Sequence, residues 1–203
     1  MKKNLKRIGI CLVVASLFWF GGLLGDRQLL RRELVRLHVV AASDTVEDQS
    51  LKLRVKDAVL ESLQSDMKKL TDTDIAMSYL QENLPKIEAV ANCVLQEAGC
   101  MDLAKVSLAI EEFPTRVYDT FALPAGVYHA LRITIGEGEG KNWWCVVFPA
   151  LCIPATTEGF EEVASCAGIS TNLTNTLELE SGYEIRFYFL DLIGRVENLI
   201  SHR

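Results

Sequence analysis

Histidine, serine and acid are the side chains from which a hydrolytic centre is built, and few in this chain could meet. His38 and His129 could serve as bases, Ser43 or Ser107 as a nucleophile, and Asp44 or Asp119 as an orienting acid. Neither serine stands in the Gly-x-Ser-x-Gly elbow that exposes a nucleophile between strand and helix. Ser43-Asp44 instead opens a helix, with Asp44 read as the N-cap and Glu47 three residues on in the reciprocal position. His129 falls on the apolar face of a strand, where a hydrogen-bonded core histidine is the commoner role. No catalytic residue is assigned.

Other reactive patterns are equally thin. Gly136-x-Gly138-x-Gly140 has the outline of a phosphate loop. It lacks the Gly-Lys-Ser/Thr ending, leads into a strand, and carries Glu137 and Glu139, which would repel phosphate. It reads as a glycine-rich hairpin connection. Two glutamates also fall far short of the six or more oxygens that calcium takes. Beyond Cys11, the cysteines are Cys93, Cys100, Cys145, Cys152 and Cys166. They form neither a Cys-x-x-Cys pair nor a Cys/His cluster with metal spacing, which argues against redox catalysis and structural zinc. Six residues including Pro149 separate Cys145 from Cys152, so the chain can turn back and bridge them, the alternative being two buried thiols. Cys93 and Cys100 repeat that spacing across a helix end as a second candidate pair. Five is odd, so at least one thiol is free or pairs between chains. No cofactor or metal is expected.

What the sequence does concentrate is a binding segment. Residues 136–152, G-E-G-E-G-K-N-W-W-C-V-V-F-P-A-L-C, hold three glycines, two adjacent tryptophans and two cysteines. Consecutive residues of a strand project to opposite faces, so at least one tryptophan must find a partner off the main core. Aromatic anchors on a loop beside a rigid strand suit recognition. Trp143 and Trp144 are the candidate contact residues, supported by Arg132, Lys141 and Asn142.

The elements that position this segment follow from periodicity. Residues 1–7 carry Lys2, Lys3, Lys6 and Arg7, and residues 8–24 run uncharged for seventeen positions. As a helix that run spans about 25 Å, slightly short of a ~30 Å hydrocarbon core. With a basic start and only a weak small-residue cleavage pattern at 21–25, residues 8–25 read as a retained signal anchor, the cleaved signal peptide being the alternative. The flanking cations put residues 1–7 in the cytoplasm and the 34–200 domain outside. With those four cations set aside, acidic residues outnumber basic ones by ten. Such a domain does not seek nucleic acid or anionic head groups, and a protein partner fits better.

Within that domain a strand is expected over 34–40. A helix follows, with Leu51, Val55, Ala58, Val59 and Leu63 on one face and Leu53, Leu60 and Met67 in a second stripe. A short helix through Asn83 and another opened by Pro85 come next, the latter turning Ile87, Val90, Ala91, Val94 and Leu95 inward and ending before Gly99. Alternation then marks strands at 106–110 and 127–135, with a further one at 142–148. Residues 155–182 are weakly patterned apart from a turn of helix at 160–167. A strand at 183–189 and a helix at 190–200 close the chain. Helices early and strands late predict an α+β fold, with a helical segment on a mostly antiparallel sheet.

The blocks at 36–59 (R-L-H-V-V-A-A-S-D-T-V-E-D-Q-S-L-K-L-R-V-K-D-A-V), 113–118 (F-P-T-R-V-Y), 123–135 (L-P-A-G-V-Y-H-A-L-R-I-T-I) and 136–152 together resemble the stage II sporulation protein R family. The chain departs from the family pattern at Ala42, where asparagine is usual, and at Ala150, where proline is. It also departs near Val127 and His129, where acids are frequent, and after Cys152 the likeness is loose. The resemblance implies a signal made in the forespore and exported across the cytoplasmic membrane, anchored or released in the space between forespore and mother cell. There it would switch on a membrane-embedded aspartic protease of the mother-cell membrane, which cleaves the sigma-E precursor. It implies no enzyme activity for the chain itself. An exported hydrolase or a cell-wall-binding module is the alternative, since aromatics beside a loop could hold a sugar.

Overall fold

The computed structural model describes residues 2–118, 121–149, 177 and 185–201. Helix α1 (Lys2–Glu33) leads directly into strand β1 (Val35–Val40). It is long and apolar enough to cross a membrane by length and composition, with a mean hydropathy of 2.2 in its most apolar stretch. The helix continues past the uncharged run, and its last turns bury Leu30 against the domain.

Helices α2 (Val46–Met67) and α3 (Thr73–Glu97) then precede five strands: β2 (Ala104–Phe113), β3 (Arg116–Val117), β4 (Ala122–Leu123), β5 (Gly126–Ile135) and β6 (Asn142–Phe148). Helix α4 (Ile185–Ser201) follows. Four strands form one sheet in the order β2-β5-β1-β6, and β3 pairs with β4 in a small second sheet. In the main sheet β1 runs parallel to β5 and antiparallel to β6, while β2 is antiparallel to β5. The fold is α+β, as its element order predicts.

All six residues of β1 are buried, because both faces of the sheet are covered there. Val35, Leu37 and Val39 face a core shared with α2 and α3 through Val55, Val59, Leu80, Ile87 and Ala91. The opposite face packs Ala130, Tyr128 and Val146 against Leu30 and Leu34, the β3–β4 segment and Phe187 of α4.

Five local expectations change. Pro85 lies inside one continuous helix, because Ala76, Leu80, Ile87, Ala91 and Leu95 form a single buried face that a break would split. Thr45, not Asp44, caps α2, its hydroxyl accepting from Asp48 N at 3.2 Å. Leu53 is exposed and Lys52 is buried in its place, donating from Nζ to Lys141 O at 2.8 Å and Gln49 Oε1 at 2.6 Å. Burial holds the Lys52 ammonium below its usual pKa, with Asp44 opposing. The expected strand over 183–189 is helix from Ile185, because Phe187, Leu190, Asp191 and Gly194 bury at helical spacing. The weakly patterned 155–182 segment lies outside the described residues, apart from the buried Leu177.

The fifth change concerns the glycine-rich loop. It is not a tight hairpin, since β1 lies between the strands it joins. The loop crosses the end of β1, with Glu139 N donating to Ala42 O at 3.2 Å and Gly140 N to Ala41 O at 2.9 Å. A Cβ on Gly140 would stand 2.2 Å from Ser43 O, so only glycine lets the two backbones approach this closely. Asp44, freed from capping, accepts from Lys141 N at 2.7 Å and pins the loop's far side. Gly140→Ala should therefore lower stability by about 1–3 kcal/mol through forced displacement of the loop. Gly25→Ala, where a Cβ meets nothing within 4 Å, should leave it unchanged. Thermal unfolding of the two variants beside the parent chain checks this.

Candidate functional site

Strand alternation sends the two tryptophans of β6 to opposite faces. Trp143 pairs across β1 with Val39, is 37% exposed, and lies under Lys56 of α2, whose Nζ is 4.7 Å from its ring centroid. Trp144 pairs with His38 and stacks on its imidazole with centroids 3.8 Å apart and planes 15° from parallel. Phe113 meets the same indole edge-on at 4.7 Å. The indole of Trp144 thus serves as a wall for His38, and Trp143 is the more open of the pair.

His38 is held from both sides. Its Nδ1 meets Glu111 Oε2 at 2.6 Å, and its Nε2 meets Asn142 Oδ1 at 2.8 Å. Glu111 takes a second bond on Oε1 from Arg132 Nη1 at 2.9 Å, and Arg132 Nε donates to Thr134 Oγ1 at 3.1 Å. Burial pushes the Glu111 carboxyl up, yet the hydrogen bonds and charges of His38 and Arg132 win and hold it below its usual value. The register explains the convergence: Arg132, His38 and Trp144 are lateral neighbours on β5, β1 and β6, and all project to one face.

Beneath this array lies Arg36, which is completely buried. Its Nε donates to Cys145 O at 3.0 Å and its Nη2 to Tyr118 Oη at 3.1 Å. The guanidinium sits over the rings of Phe113 at 4.4 Å and Tyr128 at 5.1 Å. Burial pushes the Tyr128 phenol up to about 12, the Arg36 charge opposing, and its hydroxyl donates to Pro124 O at 2.9 Å. Tyr118 in turn donates to Trp144 O at 3.3 Å, so Arg36 and Trp144 share one support.

Among the expected contact residues, Arg132, Asn142 and Trp144 come together around His38. Trp143 stands on the other face at the same end of the sheet. Lys141 acts through its main chain, bonded to Asp44 and Lys52, while its side chain is exposed. Among the described residues the hydrolytic set does not assemble: His38 meets Glu111 and Asn142, and the Ser43 hydroxyl is engaged by Asp48. Asp119 lies outside the described residues. His129 is half-buried beside the arginines of α1 and is not a core histidine. Cys93 and Cys100 are free thiols, so the second candidate pair is not formed. Cys93 is exposed on α3 and faces Glu97, whose charge raises its pKa, and Cys100 turns toward Asp102. Cys145 is disulfide-bonded, while Cys152 lies outside the described residues, as does the expected bridge between them. Two residues that build the array went unforeseen, Glu111 and Arg36. An arginine two positions before a histidine in an otherwise apolar strand was the available signal for a polar face beneath the sheet.

Together these features define an α+β domain on an apolar N-terminal helix, with an ordered aromatic and charged array at one end of its sheet. The family model for stage II sporulation protein R matches residues 31–158. Stage II sporulation protein R of Bacillus subtilis (strain 168) is 31% identical over 181 residues, covering 80% of each chain. No solved structure matches. The chain belongs to the stage II sporulation protein R family, and is thereby a sporulation protein.

Because the folded pKa of Glu111 is depressed, its contribution to stability is complete above the usual glutamate range and is lost as pH falls through the lowered folded value. Glu111→Gln should remove about 1–3 kcal/mol at neutral pH and flatten the loss of melting temperature between about pH 5 and pH 3. Parallel melting curves at stepped pH test it; superimposable acid profiles for variant and parent would refute the assignment.

Proposed function

We propose that this protein is an exported sporulation signal, held in the membrane by α1, that switches on a membrane-embedded aspartic protease of the mother-cell membrane. Cleavage of the sigma-E precursor follows. The observation that carries this reading is the polarity of the domain along β1. Helix α1 enters β1 at Val35, while Trp143, Arg132, Asn142 and the glycine-rich loop gather at its Val40 end. Six strand residues put about 20 Å between those ends. An anchor at one end and a recognition array at the other suit a ligand that reaches away from its own membrane.

The chemistry of the array supports recognition in place of turnover. His38, Glu111 and Arg132 satisfy one another, which fixes ring and guanidinium rather than leaving a base poised beside a nucleophile. A rigid, prearranged surface loses little entropy on binding. Within the array, Trp143 and Arg132 offer exposed surface, Arg132 while also holding Glu111.

Co-expression of protease, precursor and this chain in a host without sporulation genes tests the proposal, with precursor cleavage as the readout. The parent chain should drive cleavage, and Trp143→Ala/Arg132→Ala should reduce it roughly tenfold or more with the chain still folded. Its melting temperature should fall by about as much as Glu111→Gln lowers it, a variant that keeps both contact side chains and should still drive cleavage. Full cleavage with the double variant would remove these residues from the contact. Turnover of peptides or peptidoglycan by the purified chain would favour the hydrolase instead.

A further inference from the structure

We infer that the outer end of α1 and the start of β5 form a binding site for the head group of an anionic phospholipid. The inference rests on α1 being a membrane helix. A cavity of about 490 Å³ lies where the apolar run ends, between α1 and strands β2 and β5. Leu24 marks its apolar rim, and Arg27, Gln28, Arg31, Arg32 and His129 supply the polar wall. No carboxylate is among the described residues that line it.

The net charge of the domain argues against anionic head groups over its surface as a whole, but the local balance at this cavity is the reverse and favours an anion. Glu197 of α4 is shared between Arg27 and Arg31, the latter at 3.1 Å, so one carboxylate serves two guanidiniums. Arg32 is exposed, and Arg27 Nε is buried without a hydrogen-bond partner. Three arginines on the outer side also run against the bias that places cations in the cytoplasm. A phosphate answers each of these features, since guanidinium forks bind its oxygens in bidentate fashion.

The second observation points to lipid as the source of that phosphate. Helix α4 runs alongside α1 in the same direction: Phe189 meets Trp19 edge-on at 5.0 Å, and eight residues later Glu197 meets Arg27. Tyr188, Leu192, Val196 and Leu199 form an exposed apolar stripe on α4 at helical spacing. An aromatic pair and an apolar stripe beside an exposed apolar helix match the boundary between hydrocarbon and head groups. Acyl chains would lie along Leu24 and the Tyr188–Leu192 part of that stripe, on the membrane side of Glu197, leaving the phosphate among the arginines.

Native mass spectrometry of the full chain in a mild detergent tests the site, with phosphatidylglycerol and phosphatidylcholine offered separately and glycerol phosphate as a soluble competitor. Phosphatidylglycerol should be retained at least roughly tenfold over phosphatidylcholine. Arg31→Gln/Arg32→Gln should abolish that preference, and Arg32→Gln alone, which alters only an exposed side chain, should weaken it. Equal retention of both lipids, or an unchanged preference in both variants, would overturn the inference. So would displacement by glycerol phosphate at matching concentration, which would make the site one for a soluble anion. Alkaline extraction of membranes reads out the anchor independently: release of the chain would remove the membrane helix, whereas retention with no lipid preference would remove only the head-group site.

Discussion

A fully buried guanidinium on the central strand sets the terms for half of this domain. A buried cation is costly unless its donors are met and its charge is balanced. Arg36 answers that demand in part, with a carbonyl from β6, the Tyr118 phenol and the faces of two aromatic rings, while its Nη1 is buried without a hydrogen-bond partner. Each partner comes from a different stretch of chain, so all must be in place before the charge is accommodated. The second core therefore holds together as a set. Phe113 is the shared member, packing on Arg36, Tyr128 and Trp144 at once.

That arrangement divides labour between the two faces of one sheet. On the first, β1 contributes only aliphatic side chains and the helices α2 and α3 close over them. On the second, Arg36 and His38 alternate with those residues and organise a polar, aromatic layer. The aromatic and charged array is the outer margin of this layer, where Arg132 and Trp144 come partly into solvent. Its rigidity is inherited from the buried arginine below it.

Much of this was legible in the sequence, and what was not has identifiable causes. The fold class, α2, the strands at 127–135 and 142–148 and the middle of β2 at 106–110 follow from periodicity, because burial imposes it. Opposite placement of Trp143 and Trp144 follows from strand geometry alone. Pro85 misled because a missing donor at one position weighs less than a five-residue buried face. The glycine-rich loop misled because sequence order says nothing of a third strand inserted between two others. Glu111 was invisible for the same reason: its meeting with His38 depends on the register of β2 on β5 and of β5 on β1, which local pattern does not encode. The shift of the α2 cap from Asp44 to Thr45 is a one-residue matter, yet it frees Asp44 to hold the loop.

The insertion of β1 between β5 and β6 also orders events in time. The first strand after α1 is an interior one, and neither of its neighbours is made until α2, α3 and β2 to β4 have passed. Contacts so distant along the chain close slowly. While the chain emerges, this fully buried strand waits beside α1 with an open edge on either side. The end of the sheet that carries Trp143, Trp144 and Arg132 is thus complete only when residue 148 has arrived.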